Sequence, residues 1–232
     1  KWYKRAFADN GDIYGSMENE ECRIDSISQS WGVISNAADN DKKYISMESL
    51  ENHLIDTENG IIKLLDPPFN KTKLEPGYIK AYLPGVRENG GQYTHAAMWA
   101  IIAFAKLGFG DKALEYYRMI NPIEHTRTKE ATIKYKQEPY VIPADIDGAN
   151  NLAGRGGWTW YTGSSSWFLS AGIENILGLK VENEMLKIEP SIPGKWEEYS
   201  IKYRYKTSIY NIKIKNPEGR NSRSKRILFK WK

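Results

Sequence analysis

The sequence predicts a mainly α chain that closes with a small antiparallel β-layer. Three observations predict it. Apolar residues recur at helical spacing from Ile27 to Leu177, they switch to strict alternation after Leu179, and two long segments between the helices lack either period. Helix pairs that recur with long loops at one end suggest an α-toroid whose loops line a central pocket.

Taken in order, Ile27, Trp31, Ile34 and Ala38 carry the first helix over 27–38, and Tyr44, Met47, Leu50 and Leu54 share one face of a second over 43–55. A third spans 94–107 and stops at Gly108; Asp111 then caps a fourth over 112–120, closed by Asn121-Pro122. A further helix is expected over 126–136. The last covers 164–177, capped by the serines at 164–166 and ended by Gly178. The loops at 59–87 and 137–163 are of a length that is usually functional. Beyond Leu179, Tyr199, Ile201, Tyr203 and Tyr205 alternate with Ser200, Lys202 and Arg204, and Tyr210, Ile212 and Ile214 repeat the pattern after Lys206-Thr207-Ser208. That is a β-hairpin with one buried face. Segments 185–188 and 227–229 read as further strands.

A chain of 232 residues can bury a real core as one large domain or two small ones. Hydrophobic content of 41% with 27% charged residues is that of an ordinary globular protein. The net charge of +4 is mild, and much of it gathers in the tail at Lys202, Arg204, Lys206, Lys213, Lys215, Arg220, Arg223, Lys225, Arg226, Lys230 and Lys232. A nucleic-acid patch is one reading of that cluster. The alternation of 202–206 with apolar residues instead marks the solvated face of strands, so no nucleic-acid partner is expected. Cys22 is the sole cysteine, which excludes an internal disulfide framework and fits a reducing, cytoplasmic setting. No apolar run approaches a membrane span and no signal peptide is visible. The opening Lys1-Trp2-Tyr3-Lys4-Arg5 has no initiator Met, so the chain reads as a gene fragment, a processed product or a trimmed piece.

The most informative stretches are Arg87-Glu88-Asn89-Gly90-Gly91-Gln92-Tyr93-Thr94-His95 and Gly154-Arg155-Gly156-Gly157-Trp158-Thr159-Trp160-Tyr161-Thr162-Gly163-Ser164. Each ends where a helical period begins, so each feeds a helix N-terminus, where free N–H groups and a partial positive charge suit an anion. Glycines let backbone approach a ligand, and tryptophans offer faces that stack on sugar rings. Together they point to a pocket for a sugar and an anion such as phosphate. The competing reading is two tight turns packed in a core.

These stretches, with Gly15-Ser16, Asn19-Glu20-Glu21, Gln29-Ser30-Trp31, Pro76-Gly77-Tyr78-Ile79-Lys80 and Glu138-Pro139-Tyr140, resemble the inverting glycoside phosphorylases of glycoside hydrolase family 94, formerly glycosyltransferase family 36. Within it, the chain is similar to the C-terminal part of cyclic β-1,2-glucan synthases and 1,2-β-oligoglucan phosphorylases. The resemblance runs from Lys1 to about residue 216. It implies the C-terminal part of an (α/α)6 barrel over 1–179, followed by a small antiparallel β-sheet domain over 180–232. The implied chemistry is attack of inorganic phosphate on the anomeric carbon of a β-glucoside, with inversion and no cofactor. Phosphate takes the place of the water that a second carboxylate activates in an inverting hydrolase. The implied partners are a β-glucan oligosaccharide and phosphate. The family's general acid is an aspartate in a Trp-Asn-Asp-type motif upstream of the matched region, and no Trp-Asn-Asp occurs in this chain. No catalytic residue is therefore assigned. A missing N-terminal half, or a second copy of the chain, is the implied protein partner, and a synthase parent would place it at the cytoplasmic face of a membrane. The alternative is a non-catalytic carbohydrate-binding or structural remnant.

Residue by residue, the resemblance makes His95 a phosphate-binding histidine, against a capping or core histidine. Thr162, Gly163 and Ser164 form the second phosphate element, a role compatible with plain N-capping. Glu88 accepts from sugar hydroxyls, and Arg87, with Tyr82, flanks the acceptor site; otherwise Arg87 and Glu88 are a surface charge pair. Pro143-Ala144-Asp145 stands where cellobiose-type members carry a Gln, which favours the β-1,2-glucan branch. Trp31, Trp158 and Trp160 either stack on sugars or fill the barrel core. Glu18, Glu20, Glu21 and Asp25 crowd one loop, with Arg23 expected to pair with them. No His stands there at metal-ligand spacing, so no metal is expected.

Overall fold

The computed structural model describes residues 1–149 and 151–222. The centre is α3 (Thr94–Lys106), in which Ala96, Ala97, Met98, Ala100, Ile101, Ile102, Ala103, Phe104 and Ala105 are all buried. A helix apolar on every side must be surrounded, and its alanines let neighbours approach closely. It packs against α1 (Ser26–Ile34), α4 (Gly110–Met119) and α6 (Thr162–Ser170). α2 (Asn40–Leu54) adds Met47, Leu50 and Leu54 to the same core.

Helix ends follow local chemistry. α1 begins where the Asp25 carboxylate accepts from the Ile27 and Ser28 N–H groups. It ends four residues before the predicted boundary, with Asn36 at φ +62°. α4 starts at Gly110, before the expected cap: Asp111 lies inside the first turn and bonds the Asn221 amide instead. Gly110 is required there, because a Cβ would lie 2.2 Å from the Ile192 carbonyl oxygen. α5 (Lys129–Tyr135) is shorter than predicted. Thr128 caps it through the Ala131 N–H at 3.1 Å, and Lys136 ends it at φ +56°. α6 opens two residues earlier than predicted and widens into a π-turn over Ala171–Ile176, before Gly178 at φ +77°.

The N-terminal segment and the two long loops are tied by two-residue ladders, too short to show a period in sequence. β1 (Ala6–Phe7) pairs with β2 (Ile13–Tyr14), and β3 (Ile24–Asp25) with β6 (Leu65–Asp66). β4 (Ile55–Asp56) pairs with β5 (Ile61–Ile62), and β7 (Gln92–Tyr93) with β8 (Asp145–Ile146), all antiparallel. A 3-10 turn occupies Gly77–Ala81. At the C-terminal end β9 (Leu179–Glu182) pairs with β10 (Met185–Ile188), and β11 (Glu198–Tyr205) with β12 (Ser208–Lys215). The mainly α class with small antiparallel sheets holds.

The hairpin departs from its expected buried face. Tyr199, Ile201, Tyr203, Ile212 and Ile214 are half-buried, while Tyr205 and Tyr210 are exposed. Its root is anchored by the Tyr199 hydroxyl, which donates to the Leu177 carbonyl at 2.6 Å, and by Trp196 against the Tyr199 ring. The expected strand at 227–229 and the basic residues from Arg223 onward lie outside the described residues. Trp31 is exposed, edge-on to Trp99, which in turn meets Trp167. No helix among the described residues is long and apolar enough to cross a membrane.

Candidate active site

Two helix N-termini meet at His95 and Ser164. His95 lies in the first turn of α3 and Ser164 in the first turn of α6. His95 Nδ1 and Ser164 Oγ share a hydrogen bond of 3.1 Å. The residues before these helices, Tyr93 and Tyr161, provide no side-chain cap. First-turn N–H groups without a cap are what an anion can use. Gly163 seats the histidine: a Cβ there would lie 2.7 Å from His95 Nε2. The imidazole stacks on Tyr93 at 5.3 Å and meets Tyr161 and Trp99 edge-on. Burial pushes its pKa below the ordinary value, which keeps it neutral near pH 7. Thr162 opens α6, and its carbonyl accepts from Ser166 Oγ at 3.0 Å.

A second group gathers around Arg87, a residue held at φ +51°. Its guanidinium lies 4.7 Å over Trp158 and 5.2 Å over Tyr82. Its Nε stands 3.9 Å from both Glu88 Oε2 and Asp145 Oδ1. Arg87 Nε and Glu88 Oε2 are buried without a hydrogen-bond partner. Unpaired buried groups of this kind carry a cost that a ligand hydroxyl or an ordered water relieves. Burial pushes the Asp145 carboxyl up, while Arg87 and the Trp158 N–H pull it back. Gly157 is tight against it, since a Cβ there would lie 2.1 Å from Asp145 Oδ2.

Tyr93 joins the two groups. The β7–β8 register puts it opposite Asp145, and its ring stacks on His95. Its hydroxyl pKa is raised by burial first and then by Tyr161 and Glu88. All seven residues singled out from the sequence thus lie in or beside these two groups. Asp145, Tyr93 and Tyr161 were missed as site residues. A carboxylate between Ala144 and Ile146 in an otherwise apolar run was the available signal for Asp145.

For two tryptophans the structure excludes one of the two open readings, and in the acidic loop it corrects an expected pairing. Trp158 and Trp160 are each 65% exposed and belong to no core. Trp160 donates to Glu138 at 3.3 Å and meets Tyr140 edge-on. In the acidic loop, Arg23 donates to the Asn19 carbonyl, not to a carboxylate. Buried Asp25 pairs with Arg5 instead, and Glu21 accepts from the backbone N–H groups of Asn70, Lys71 and Thr72. That carboxylate is a loop clasp, spent on three donors.

The model of the glycosyl hydrolase 94 superfamily catalytic domain matches residues 1–178, and that of the glycosyl hydrolase family 65 C-terminal domain matches 179–220. The chain is 46% identical over 213 residues to cyclic beta-(1,2)-glucan synthase NdvB of Rhizobium meliloti, covering 92% of this chain and 8% of that protein. It is 30% identical to N,N'-diacetylchitobiose phosphorylase of Vibrio furnissii, over 94% of this chain and 27% of that one. It is also 30% identical to solabiose phosphorylase of Paenibacillus borealis, over 100% and 30% respectively. The chain therefore spans less than a third of the length of these relatives. Since the catalytic-domain match covers well over half of its residues, the chain belongs to the glycosyl hydrolase 94 superfamily.

Proposed function

We propose that this chain is the phosphate- and sugar-binding C-terminal portion of an enzyme that phosphorolyses or transfers β-glucosyl units, with β-1,2-glucan as substrate. The observation that carries this reading is the meeting of two uncapped helix N-termini across the His95–Ser164 contact. Phosphate sits there, accepting hydrogen bonds from N–H groups of the first turn of α6, from the Thr162 hydroxyl and from a ring N–H of neutral His95. Sugar hydroxyls supply the missing partners of Arg87 and Glu88, and Tyr82 and Trp158 wall the subsite.

In the reaction, a phosphate oxygen forms a bond to the anomeric carbon as the glycosidic C–O bond breaks. The leaving oxygen takes a proton from a general acid, and α-glucose 1-phosphate results with inversion. That acid is an aspartate supplied from outside these residues. Residues 1–179 are then the closing part of an (α/α)6 barrel and 180–232 an appended β-domain. The partner is the other part of the barrel or a second copy of the chain, in the cytoplasm or at the cytoplasmic face of a membrane.

Calorimetric titration tests the assignment. His95→Ala is expected to weaken phosphate binding about 10-fold or more, the scale of a hydrogen bond to a charged group. Binding of a β-1,2-glucan oligosaccharide is expected to stay within about 2-fold, as a contact specific to one ligand dictates. Equal losses for both ligands would count against the phosphate role.

A further inference from the structure

One tryptophan of the second glycine-rich stretch joins neither of the two groups. Residues 157–161 run antiparallel beside 142–145. The Gly157 N–H donates to the Asp145 carbonyl at 2.9 Å, the Ala144 N–H to the Trp158 carbonyl at 2.7 Å and the Tyr161 N–H to the Ile142 carbonyl at 3.2 Å. Trp158 lies against the Arg87 guanidinium and Tyr161 against His95, so each is committed to one group. Trp160 stands between them in the chain at φ +59°, a conformation that a bulky side chain rarely adopts. Backbone strain of this kind persists where the surrounding structure enforces it, and it gathers at ligand sites.

The indole is fixed but not covered. Its N–H donates to Glu138 Oε1 at 3.3 Å and its ring meets Tyr140 edge-on at 6.1 Å, while both rings stay exposed. A lone exposed aromatic needs no explanation. Here the polar end is anchored, a second exposed ring stands beside it, and the backbone is strained to keep it there.

The chemistry of the three side chains narrows the occupant. Trp160 and Tyr140 offer flat apolar faces of the kind that meet the C–H side of a sugar ring. Glu138 is an acceptor only and has lone pairs left for sugar hydroxyls after taking the indole N–H. Its charge opposes an acidic ligand, so a neutral ring fits. Trp160 is two residues from Trp158, which walls the proposed sugar site, so the platform continues that site along the same segment.

We propose that Trp160, with Tyr140 and Glu138, is a further glucosyl subsite. It holds the ring that follows the one at Arg87 and Glu88, and so selects glucans of three or more units over a disaccharide. The identity of that preceding ring rests on the proposed function.

The test titrates a β-1,2-linked glucose disaccharide and trisaccharide into the purified chain by calorimetry. The trisaccharide is expected to bind about 3- to 10-fold more tightly, the scale of one stacking contact. Trp160→Ala is expected to abolish that preference and to hold the melting temperature, as a substitution at an exposed ring does. Trp160→Phe, which keeps a ring face and loses the N–H, is expected to retain it. Equal wild-type affinities for the two sugars, or a preference that survives in Trp160→Ala, overturns the subsite. A wild-type oligomer that Trp160→Ala dissolves without changing sugar affinity makes the platform a protein contact, and overturns it as well. Arg87→Gln separates the two readings, since it is expected to weaken both sugars alike. Weakening by Arg87→Gln with no trisaccharide preference removes this subsite and leaves the proposed function standing. A preference lost in Trp160→Ala with no effect of Arg87→Gln does the reverse, and absence of binding by either sugar overturns both.

Discussion

The glycine at 163 shows how a single residue sets the site. Its absent side chain lets His95 lie against the start of α6, so Gly163→Ala must push the imidazole away from Ser164. The helix itself should persist, since alanine is the better helix former. The expected result is a lost His95 signal shift on phosphate addition with the melting temperature held or raised, read by NMR and thermal denaturation. His125 makes a separate prediction about acid. Its folded pKa of about 4 lies below the ordinary 6.5, so the unfolded chain binds more protons between those values. The stability it contributes is complete above pH 6.5 and is lost as pH falls toward 4. The loss is about 3 kcal/mol at 1.36 kcal/mol per pKa unit. A hydrogen bond to the Gly60 backbone and the charge of Glu124 oppose it, and Lys134 adds to it. Urea unfolding across this range should be steeper in pH for the wild-type chain than for His125→Gln.

Elements here depend on partners distant in sequence. α1 is started by Asp25, a fully buried carboxylate whose charge is met by Arg5 from the N-terminal segment. Burial raises the Asp25 pKa, and Arg5 with the two cap N–H groups lowers it again. Arg5→Ala leaves that charge buried and alone, which costs about 3–5 kcal/mol. Asp25→Asn keeps an acceptor for the cap and removes the charge, so it should cost less. Chemical denaturation of both variants ranks them, and the reverse order would show that the cap, not the ion pair, carries the charge of Asp25. α3 is different in kind. Its burial on nearly every side makes it the element least tolerant of change, and its first turn carries His95.

At the scale of the whole molecule, the described core leaves apolar surface open. Trp31, Tyr44 and Ile45 are exposed on α1 and α2, and Ile45 also lines a groove of about 360 Å³ with Trp2 and Tyr3. Exposed patches of this kind favour association. The chain is expected to sediment as a concentration-dependent oligomer, and Ile45→Glu to shift it toward monomer; a monodisperse wild-type monomer refutes this. The chain alone is also expected to release no glucose 1-phosphate from β-1,2-oligoglucan and phosphate. A positioned acid contributes typically about 10²–10⁴-fold, and none is assigned within these residues. Turnover of ordinary enzymatic size would relocate that acid to a residue such as Asp145.

The sequence by itself determined the helices, because a period of 3.6 and a Gly or Pro stop are local properties that survive any packing. It also determined the two glycine-rich stretches and the family. Only the tertiary structure decided what those residues touch. The pairing of β7 with β8 brings Asp145 opposite Tyr93 across some fifty residues of chain, and a two-residue ladder leaves no period to read. The partners of Asp25 and Glu21 were equally hidden, since Arg5 and the backbone of 70–72 are near them only once folded. Exposure of Trp158 and Trp160 followed the same rule: a tryptophan's composition says that it can be buried, and its neighbours in space decide whether it is.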